Sequence, residues 1–333
     1  MEFVKVGGVV LFSLFCLCLV HSIQADILVV DKDNPTSYDS IGAAISAAQD
    51  NDTILIKAGI YCESLIINKT LHLQGEEKNS TLLNGNTSGY YAILCNAPKI
   101  QICNLTIYNS TIGIDITKSN ITYTNISIYS NIIKNNIAGI LLENGSHHIL
   151  IYDNFITDNS GDGINCCGSF QNKISNNIIQ NNGGHGIVGW DLSNCNLLVN
   201  NTIQNNGRGI SFRRFSDNNT LLSNRILNNN LAGVYLEFSN YNIITSNIIT
   251  NSKKGIHLKE SFYNFISANS FITNDRGIYL YDSSNNTITS DNLFSGNTED
   301  ILHHSNKFTI PGFELSSTVL GIILLIIIKR YIY

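Results

Sequence analysis

The amino-acid sequence predicts an all-β fold: a right-handed, single-stranded parallel β-helix of about ten coils, with three short strands per coil and a capping helix at its N-terminal end. Three observations predict this fold. A repeat recurs every 22 to 26 residues, each repeat contains three short apolar segments, and Asn, Gly or Ser separates those segments. Positions that keep a common period over many repeats are typical of stacked units that bury a shared core.

Three sets of positions keep the period. Glycine followed by Ile or Val recurs at Gly113, Gly139, Gly163, Gly186, Gly209, Gly233, Gly255 and Gly277. The motif Asn-x-(Ile/Phe) begins at Asn154, Asn177, Asn201, Asn224, Asn247, Asn269 and Asn292. The motif Asn-x-(Ile/Leu) begins at Asn172, Asn196, Asn219, Asn242, Asn264 and Asn286. No segment is long enough for a helix, and apolar residues alternate with polar ones. Each segment is therefore predicted to be a strand with its apolar side chains in the core.

The recurring Asn residues have a structural interpretation. Asn tolerates the left-handed backbone conformation of a tight corner, and its side-chain amide can bond the next Asn in a stack. We therefore expect the Asn columns to hold the coils together rather than to bind a ligand.

The N-terminal end needs a cap, because an open β-helix exposes its core and its strand edges. Residues Ser40–Gln49 have the pattern of a short amphipathic helix, with Ile41, Ala44 and Ile45 on one side. This helix precedes two predicted strands, Thr53–Lys57 and Ser64–Asn68. It is the expected lid of the β-helix domain, which we place at residues 26–307.

Both termini have targeting patterns. Residues 1–25 contain Lys5, then an apolar run, then a polar stretch, which is typical of a secretory signal peptide; an uncleaved membrane anchor is the alternative. Residues 308–333 contain the apolar run Leu315–Ile328 followed by Lys329 and Arg330, which predicts a membrane anchor with the main domain outside the cell. A buried C-terminal strand is the alternative there.

Several segments resemble known families. The helical lid, the segment Asp52–Ile56, the segment Ala58–Tyr61 with Glu63, and the segment Leu71–Gly75 resemble the opening of NosD-like and pectin-lyase-like β-helix proteins. With the repeats, the resemblance covers about residues 26–307. It implies the fold and says little about activity. NosD proteins are named for copper delivery, but this chain has no Met- or His-rich copper site.

The C-terminal segment resembles a different kind of signal. Pro311-Gly312-Phe313 with the apolar run resembles the archaeal PGF-type sorting signal, which implies attachment to the cell surface.

One strand per coil is a candidate for ligand binding. Pectin-lyase-like enzymes bind polysaccharide across the outer side of one sheet. The resemblance therefore implies that a ligand would lie against the positions two and four residues after each repeat glycine, where side chains are expected to point outward. These positions include the candidate ligand-binding residues Trp190, Arg213, Tyr235, Glu237, His257, Lys259, Tyr279 and Tyr281. Aromatic rings interleaved with charged groups suit sugar rings and their hydroxyl groups. The alternative is an ordinary amphipathic strand.

The residue before each glycine gives a weaker, catalytic hypothesis. Asp162-Gly163 and Gly184-His185-Gly186 resemble fragments of polygalacturonase motifs, and Arg208 follows on the next coil. The resemblance implies an acid or base, a proton partner and a clamp for a carboxylate. Glycoside hydrolysis ordinarily needs two carboxylates, and this column supplies one. We therefore assign no catalytic residue, and a variable polar position before a turn is the alternative.

Composition excludes some functions. The net charge is −5 and the basic residues are scattered, so we expect no binding to nucleic acid. The adjacent pairs His147-His148 and His303-His304 point to opposite sides of a strand and make poor chelators, so we expect no metal and no cofactor.

The predicted function is that of an anchored cell-surface protein with a structural, adhesion or glycan-binding role, whose partner is a polysaccharide, another glycan or a surface protein. The alternative is a carbohydrate-active hydrolase, lyase or epimerase.

Overall fold

The computed structural model describes residues 25–85, 89–116, 125–143 and 145–305. Apart from Ala25, the predicted signal peptide and the predicted C-terminal anchor lie outside these residues. Within the described ranges, no helix has the length and apolar character needed to span a membrane.

The fold is the predicted right-handed parallel β-helix, with three parallel sheets around one core. Sheet 1 contains the strands Ile27–Val30, Thr53–Ile56, His72–Gly75, Gln101–Cys103, Ser127–Tyr129, Leu150–Tyr152, Lys173–Ser175, Leu197–Val199, Thr220–Leu222, Ile243–Thr245, Phe265–Ser267 and Thr287–Ile288. Sheet 2 contains Gly59–Cys62, Thr81–Asn84, Thr106–Tyr108, Ile132–Lys134, Phe155–Thr157, Ile178–Gln180, Thr202–Gln204, Arg225–Leu227, Ile248–Thr250, Ser270–Ile272 and Leu293–Ser295. Sheet 3 contains Leu65–Ile67, Tyr91–Cys95, Ile112–Ile116, Ala138–Leu142, Ile164–Cys167, His185–Trp190, Arg208–Arg213, Ala232–Glu237, Lys254–Lys259, Arg276–Tyr281 and Glu299–His304.

The predicted number of coils is slightly low. Among the described residues, sheet 1 has 12 strands and the other two sheets have 11 each, where we expected about ten coils. Between Ile27 and Asn84 the one Gly-Ile pair, Gly59-Ile60, lies in sheet 2, whereas the glycines that mark the repeat lie in or next to sheet 3 strands, so the periodicity does not reveal the first coils.

The core is built from ladders of identical or similar apolar side chains. Ile187, Ile210 and Val234 of sheet 3 lie directly above one another in the strand register and have no exposed surface. The same holds for Leu198 and Leu221 in sheet 1 and for Ile203 and Ile226 in sheet 2. Since every coil adds one residue to each ladder, the core continues along the rod and the predicted inward positions are confirmed.

Buried Asn ladders stack the coils, as predicted. At Asn201, Oδ1 accepts from the backbone N–H and from Nδ2 of Asn177, each at 3.0 Å. Its own Nδ2 donates to Asn224 Oδ1 at 3.0 Å and to the carbonyl oxygen of Ile174 at 2.9 Å. The sequence predicts two such ladders, and the structure adds a third at the remaining corner: Asn136, Asn159, Asn182, Asn206 and Asn229.

One detail of the Asn prediction is wrong. The left-handed backbone conformation is not at the ladder Asn but at the residue before it, for example Asn200 (φ 56°) before Asn201 and Ser223 (φ 57°) before Asn224. The sharp bend precedes the buried amide, which leaves the Asn side chain free to point inward at the corner.

The N-terminal lid is the helix Ile41–Ala47, which begins after Ser40. Its apolar side, including Ile41, Ala44 and Ile45, is buried on the core. The Glu63 carboxylate accepts from the backbone N–H groups of Ile41 and Gly42 at 2.9 and 2.8 Å, which satisfies two of the free N–H groups at the start of the helix.

Candidate functional site

The glycine column decides which side chains of sheet 3 point outward. A Cβ atom added to Gly209 would lie 2.5 Å from the carbonyl oxygen of Gly233 and 2.6 Å from Cγ2 of the core residue Ile226. Glycine therefore occupies an inward position with no room for a side chain, and the buried Ile210 follows it. Because two successive positions point inward, the residue before each glycine lies on the same outer side as the residues two and four positions after it.

The two candidate sets of the sequence analysis consequently share one surface, the outer face of sheet 3. It is formed by the residues before glycine (Asp162, His185, Arg208, Lys254 and Arg276) and by Trp190, Arg213, Tyr235, Glu237, His257, Lys259, Tyr279 and Tyr281. The strand register places these residues on consecutive coils. Spacing along the sequence predicts the two columns separately, and only the backbone geometry around glycine places them on one face.

Tyr235 lies at the centre of this face between two guanidinium groups. The Cζ atoms of Arg208 and Arg213 lie 4.3 and 5.0 Å from its ring centroid, and only 4% of Tyr235 is exposed. Arg213 also lies 4.8 Å from the ring of Trp190 on the preceding coil. Tyr235 therefore orients the two arginines through cation–π contacts and does not present a free ring to solvent.

Glu237 connects two cations of the face. Its carboxylate lies 3.2 Å from Arg213 Nε and 2.7 Å from Lys259 Nζ. Burial raises the pKa of Glu237, but the hydrogen bond and charge of Lys259, together with the charge of Arg213, outweigh burial and hold that pKa below its ordinary value. Glu237 is therefore an ionised hydrogen-bond acceptor in the middle of a basic surface.

The arrangement recurs two coils further on. Lys254 Nζ and Arg276 Cζ lie 4.4 and 4.9 Å from the ring centroid of Tyr279. The His257 ring connects the two units, since its centroid lies 4.9 Å from that of Tyr235 and 4.9 Å from that of Tyr279. Lys254 and Arg276 belong to the column before glycine and are not among the ligand-binding residues that the sequence predicts. Both directly precede a repeat glycine, as Arg208 does, and this shared position in the repeat could have identified them.

The three weaker catalytic candidates are neighbours in the structure. The backbone N–H of His185 donates to Asp162 Oδ1 at 2.8 Å, and Arg208 Nη1 lies 3.5 Å from His185 Nε2. Burial lowers the pKa of His185, and the charges of Arg208 and Arg213 lower it further, against the opposing effect of Asp162. The imidazole is therefore neutral near pH 7. Asp162 contacts the backbone of His185 rather than its ring, so the three residues do not form a proton relay.

The described residues do not form a metal centre. Among them, no group of three or more His, Cys, Asp or Glu side chains converges on a point that could hold a metal ion. His72 Nε2 lies 3.3 Å from Cys103 Sγ and 3.3 Å from the hydroxyl group of Tyr129. This set has only one nitrogen and one sulfur donor, fewer than a structural or catalytic zinc site supplies.

Acidification is expected to destabilise the fold through His257. Burial, followed by the positive charges of Lys254 and Arg208, lowers the pKa of His257 from 6.5 to about 3. Between these values the unfolded chain binds a proton that the folded chain does not, so the free energy of unfolding falls as the pH decreases. At about pH 5 the loss from this imidazole is about 2 kcal/mol. Urea unfolding at pH 7 and pH 5 should show a weaker pH dependence for His257→Gln than for the wild type. Equal dependence in both proteins would exclude His257 as the cause.

The structure is similar to solved β-helix proteins that act on carbohydrates. The A-module of the Azotobacter vinelandii mannuronan C-5 epimerase AlgE6 aligns with a TM-score of 0.67 at 15% identity, over 81% of this chain and 95% of the module. The catalytic domain of a GH87 α-1,3-glucanase aligns with a TM-score of 0.56 at 12% identity, over 85% and 68% of the two chains. Pectate lyase Pel9A aligns with a TM-score of 0.52 at 13% identity, over 88% and 82%. At these identities the likeness establishes a common fold alone.

The sequence itself places the chain in a family. A comparison with curated proteins finds no match. The family described as periplasmic copper-binding protein (NosD) matches residues 45–231 and 185–319, which together cover most of the β-helix and all of the outer face of sheet 3. The chain therefore belongs to the NosD family.

Proposed function

We propose that the protein binds an extended glycan along the outer face of sheet 3. The observation that carries the proposal is the line of aromatic and charged side chains from Trp190 to Tyr281, one set per coil, in register along the rod. A sugar chain is a linear polymer of rings and hydroxyl groups. It can follow such a line, with its rings against aromatic side chains and its hydroxyl groups bonded to Glu237 and the cations.

The structural neighbours support a carbohydrate ligand. The epimerase, the glucanase and the lyase named above all have this fold, and the name of each refers to a reaction on a carbohydrate polymer or a pectic substance. Copper, which the family description names, is not part of the proposal. Among the described residues no three suitable ligands converge, and the single Met of the chain is Met1.

Removal of the Trp190 ring tests the proposal. Trp190→Ala is expected to weaken binding to a matching glycan about 5- to 30-fold, because the change removes the largest aromatic surface of the face and the partner of Arg213. Phe265→Ala is the matched control, since Phe265 is an exposed aromatic residue on sheet 1. A glycan array followed by calorimetry on the positive ligands measures both variants. Equal affinities for wild type and Trp190→Ala on every bound glycan would contradict the proposal.

A carbohydrate-active enzyme is the second candidate. The contacts of His185 with Asp162 and Arg208, on the same face as the proposed glycan, favour it. In the column before glycine, from Ala138 to Arg276, Asp162 is the single carboxylate, whereas a hydrolase ordinarily uses two, so we place binding first. Turnover of a uronic-acid polymer that is lost in Asp162→Asn, with the fold intact, would reverse that order.

We also propose that the protein is exported and attached to the membrane through residues 308–333. The signal-like pattern of residues 1–25 and the periplasmic description of the family support export. Fractionation of cells that express the full chain or a chain ending at residue 307 tests the attachment. If residues 308–333 attach the protein to the membrane, the full chain should be found in the membrane fraction, and the chain that ends at residue 307 should be released from it.

A further inference from the structure

The outer face of sheet 3 is basic, although the chain as a whole is acidic. The four strands Arg208–Arg213, Ala232–Glu237, Lys254–Lys259 and Arg276–Tyr281 have five cationic side chains and one carboxylate, which gives a net charge of +4, while the whole chain has −5. These cations are scattered in the sequence and become one surface only because the coils stack. A surface of this kind attracts a ligand of opposite charge.

Two of the five cations have no carboxylate partner. Arg213 and Lys259 share Glu237, and Arg276 contacts Glu299 at 3.1 Å. For Arg208 and Lys254 the described residues offer no carboxylate oxygen within the 4.0 Å of an ion pair. Their contacts are a tyrosine ring and a neutral histidine each: His185 for Arg208 and His257 for Lys254.

The cations also repel one another. Burial lowers the pKa of Arg208, and the neighbouring charge of Arg213 lowers it further, against the smaller opposing effects of Tyr235 and Glu237. Burial likewise lowers the pKa of Lys254, and the charges of Arg276 and Arg208 add to the effect. A negatively charged ligand would relieve this repulsion and supply the missing partners.

The unpartnered cations belong to two similar units. In each unit a tyrosine ring holds two cations: Tyr235 with Arg208 and Arg213, and Tyr279 with Lys254 and Arg276. We call these units the two clamps. They are two coils apart, or about 10 Å along the rod at the usual strand spacing. A sugar ring is comparable in length to one coil, so an extended glycan would bring alternate residues to the clamps.

We propose that the two clamps make this face selective for an acidic glycan, a chain of carboxylated sugars, over a neutral one. This inference rests on the glycan binding proposed above and adds the charge of the ligand. Glu237 favours a glycan over a nucleic acid, because its carboxylate lies beside the first clamp and accepts hydrogen bonds. Sugar hydroxyl groups can donate such bonds, whereas a phosphodiester backbone offers only like charge at that position.

Removal of one clamp tests the inference on the full chain. The double variant Lys254→Gln/Arg276→Gln should bind polygalacturonate about tenfold more weakly than the wild type but the methyl-esterified polymer only about two- to threefold more weakly, because the lost cations bond hydroxyl groups of both polymers and attract the carboxylates of the first alone. The control Lys173→Gln/Arg225→Gln removes the same charge from exposed positions on sheets 1 and 2 and should leave both affinities unchanged. Thermal unfolding of each variant verifies that the fold is intact.

Salt dependence of the wild type provides a second measurement that needs no variant. Affinity for polygalacturonate should fall steeply between about 0.05 and 0.5 M NaCl, and affinity for the methyl ester should change little.

Four outcomes would overturn the inference. Equal affinity of the wild type for both polymers, combined with weakening by Trp190→Ala, would leave glycan binding in place and refute charge selectivity. Equal effects of the clamp variant and the control variant would refute the role of the clamps. Binding of single-stranded DNA as tight as that of polygalacturonate at the same salt concentration would show a general polyanion surface instead. Absence of binding to every glycan tested would refute the proposed function and the inference together.

Discussion

Replacing Asn201 by Asp is expected to lower the free energy of unfolding by about 3–5 kcal/mol, while the same change at Asn205, four residues away, should cost less than about 1 kcal/mol. The two substitutions exchange the same single group, NH₂ for O. Asn201 is completely buried in a ladder, and Asn205 lies in an exposed pair in which its Nδ2 donates to Asn181 at 3.1 Å. Only the environment differs between the two sites.

The physical reason is the loss of two buried donors. Asn201 Nδ2 donates to the carbonyl oxygen of Ile174 and to Asn224 Oδ1. A carboxylate oxygen at this position would face two acceptors with a negative charge and no solvent. Urea unfolding at pH 7 measures the difference. The cost should shrink at about pH 4, where a protonated carboxyl group can again donate one hydrogen bond. Similar destabilisation by the two variants would show that the ladder contributes no more than an exposed amide pair.

Replacing Gly209 by Ala should destabilise the protein by about 3 kcal/mol and weaken glycan binding. The new Cβ would overlap the backbone carbonyl of Gly233, 2.5 Å away, and the core side chain of Ile226, 2.6 Å away, and neither can move without separating two coils. Arg208, the residue that precedes Gly209 in the strand, would be displaced from Tyr235.

Gly42→Ala is the control for that variant. Its Cβ would meet only the side-chain oxygen of Glu63, at 3.2 Å, and the helix accepts alanine readily, so stability should change by less than about 1 kcal/mol. Calorimetric unfolding gives both values, and affinity measurements give the binding. A Gly209→Ala protein as stable as the Gly42→Ala protein would contradict the close approach of the coils.

Much of the architecture could be predicted because the same residue type recurs at the same position of each repeat. Each coil from Gly113 to Gly277 contributes one Ile or Val after glycine, such as Ile210 and Val234, and most of these coils contribute an Asn at each corner, such as Asn201 and Asn224. The structure places the first pair in one fully buried ladder and the second pair in contact at 3.0 Å. The number of early coils could not be read from the sequence, because their sheet 3 strands, such as Leu65–Ile67, do not carry the motif.

The candidate site was only partly predictable. Strict alternation along a strand predicts that residues two and four positions after glycine point outward. This rule identifies Trp190, Tyr235 and Tyr279. Alternation would place the residue before glycine on the other side of the sheet. The structure brings Arg208 over the Tyr235 ring and Lys254 over the Tyr279 ring. The departure arises at glycine, where two successive positions point inward.

The sequence alone determined the period, the number of strands per coil, the inward ladders and the line of residues from Trp190 to Tyr281, because each of these is a property that repeats at fixed spacing. Only the tertiary structure decided that the face is basic and that its cations lie in two clamps around Tyr235 and Tyr279. Each clamp spans two neighbouring coils, and the cation and the tyrosine lie 22 or more residues apart in the sequence in three of the four contacts. Their charges act together only because parallel stacking brings neighbouring coils to about 5 Å, well within the distance over which charges interact in water and salt.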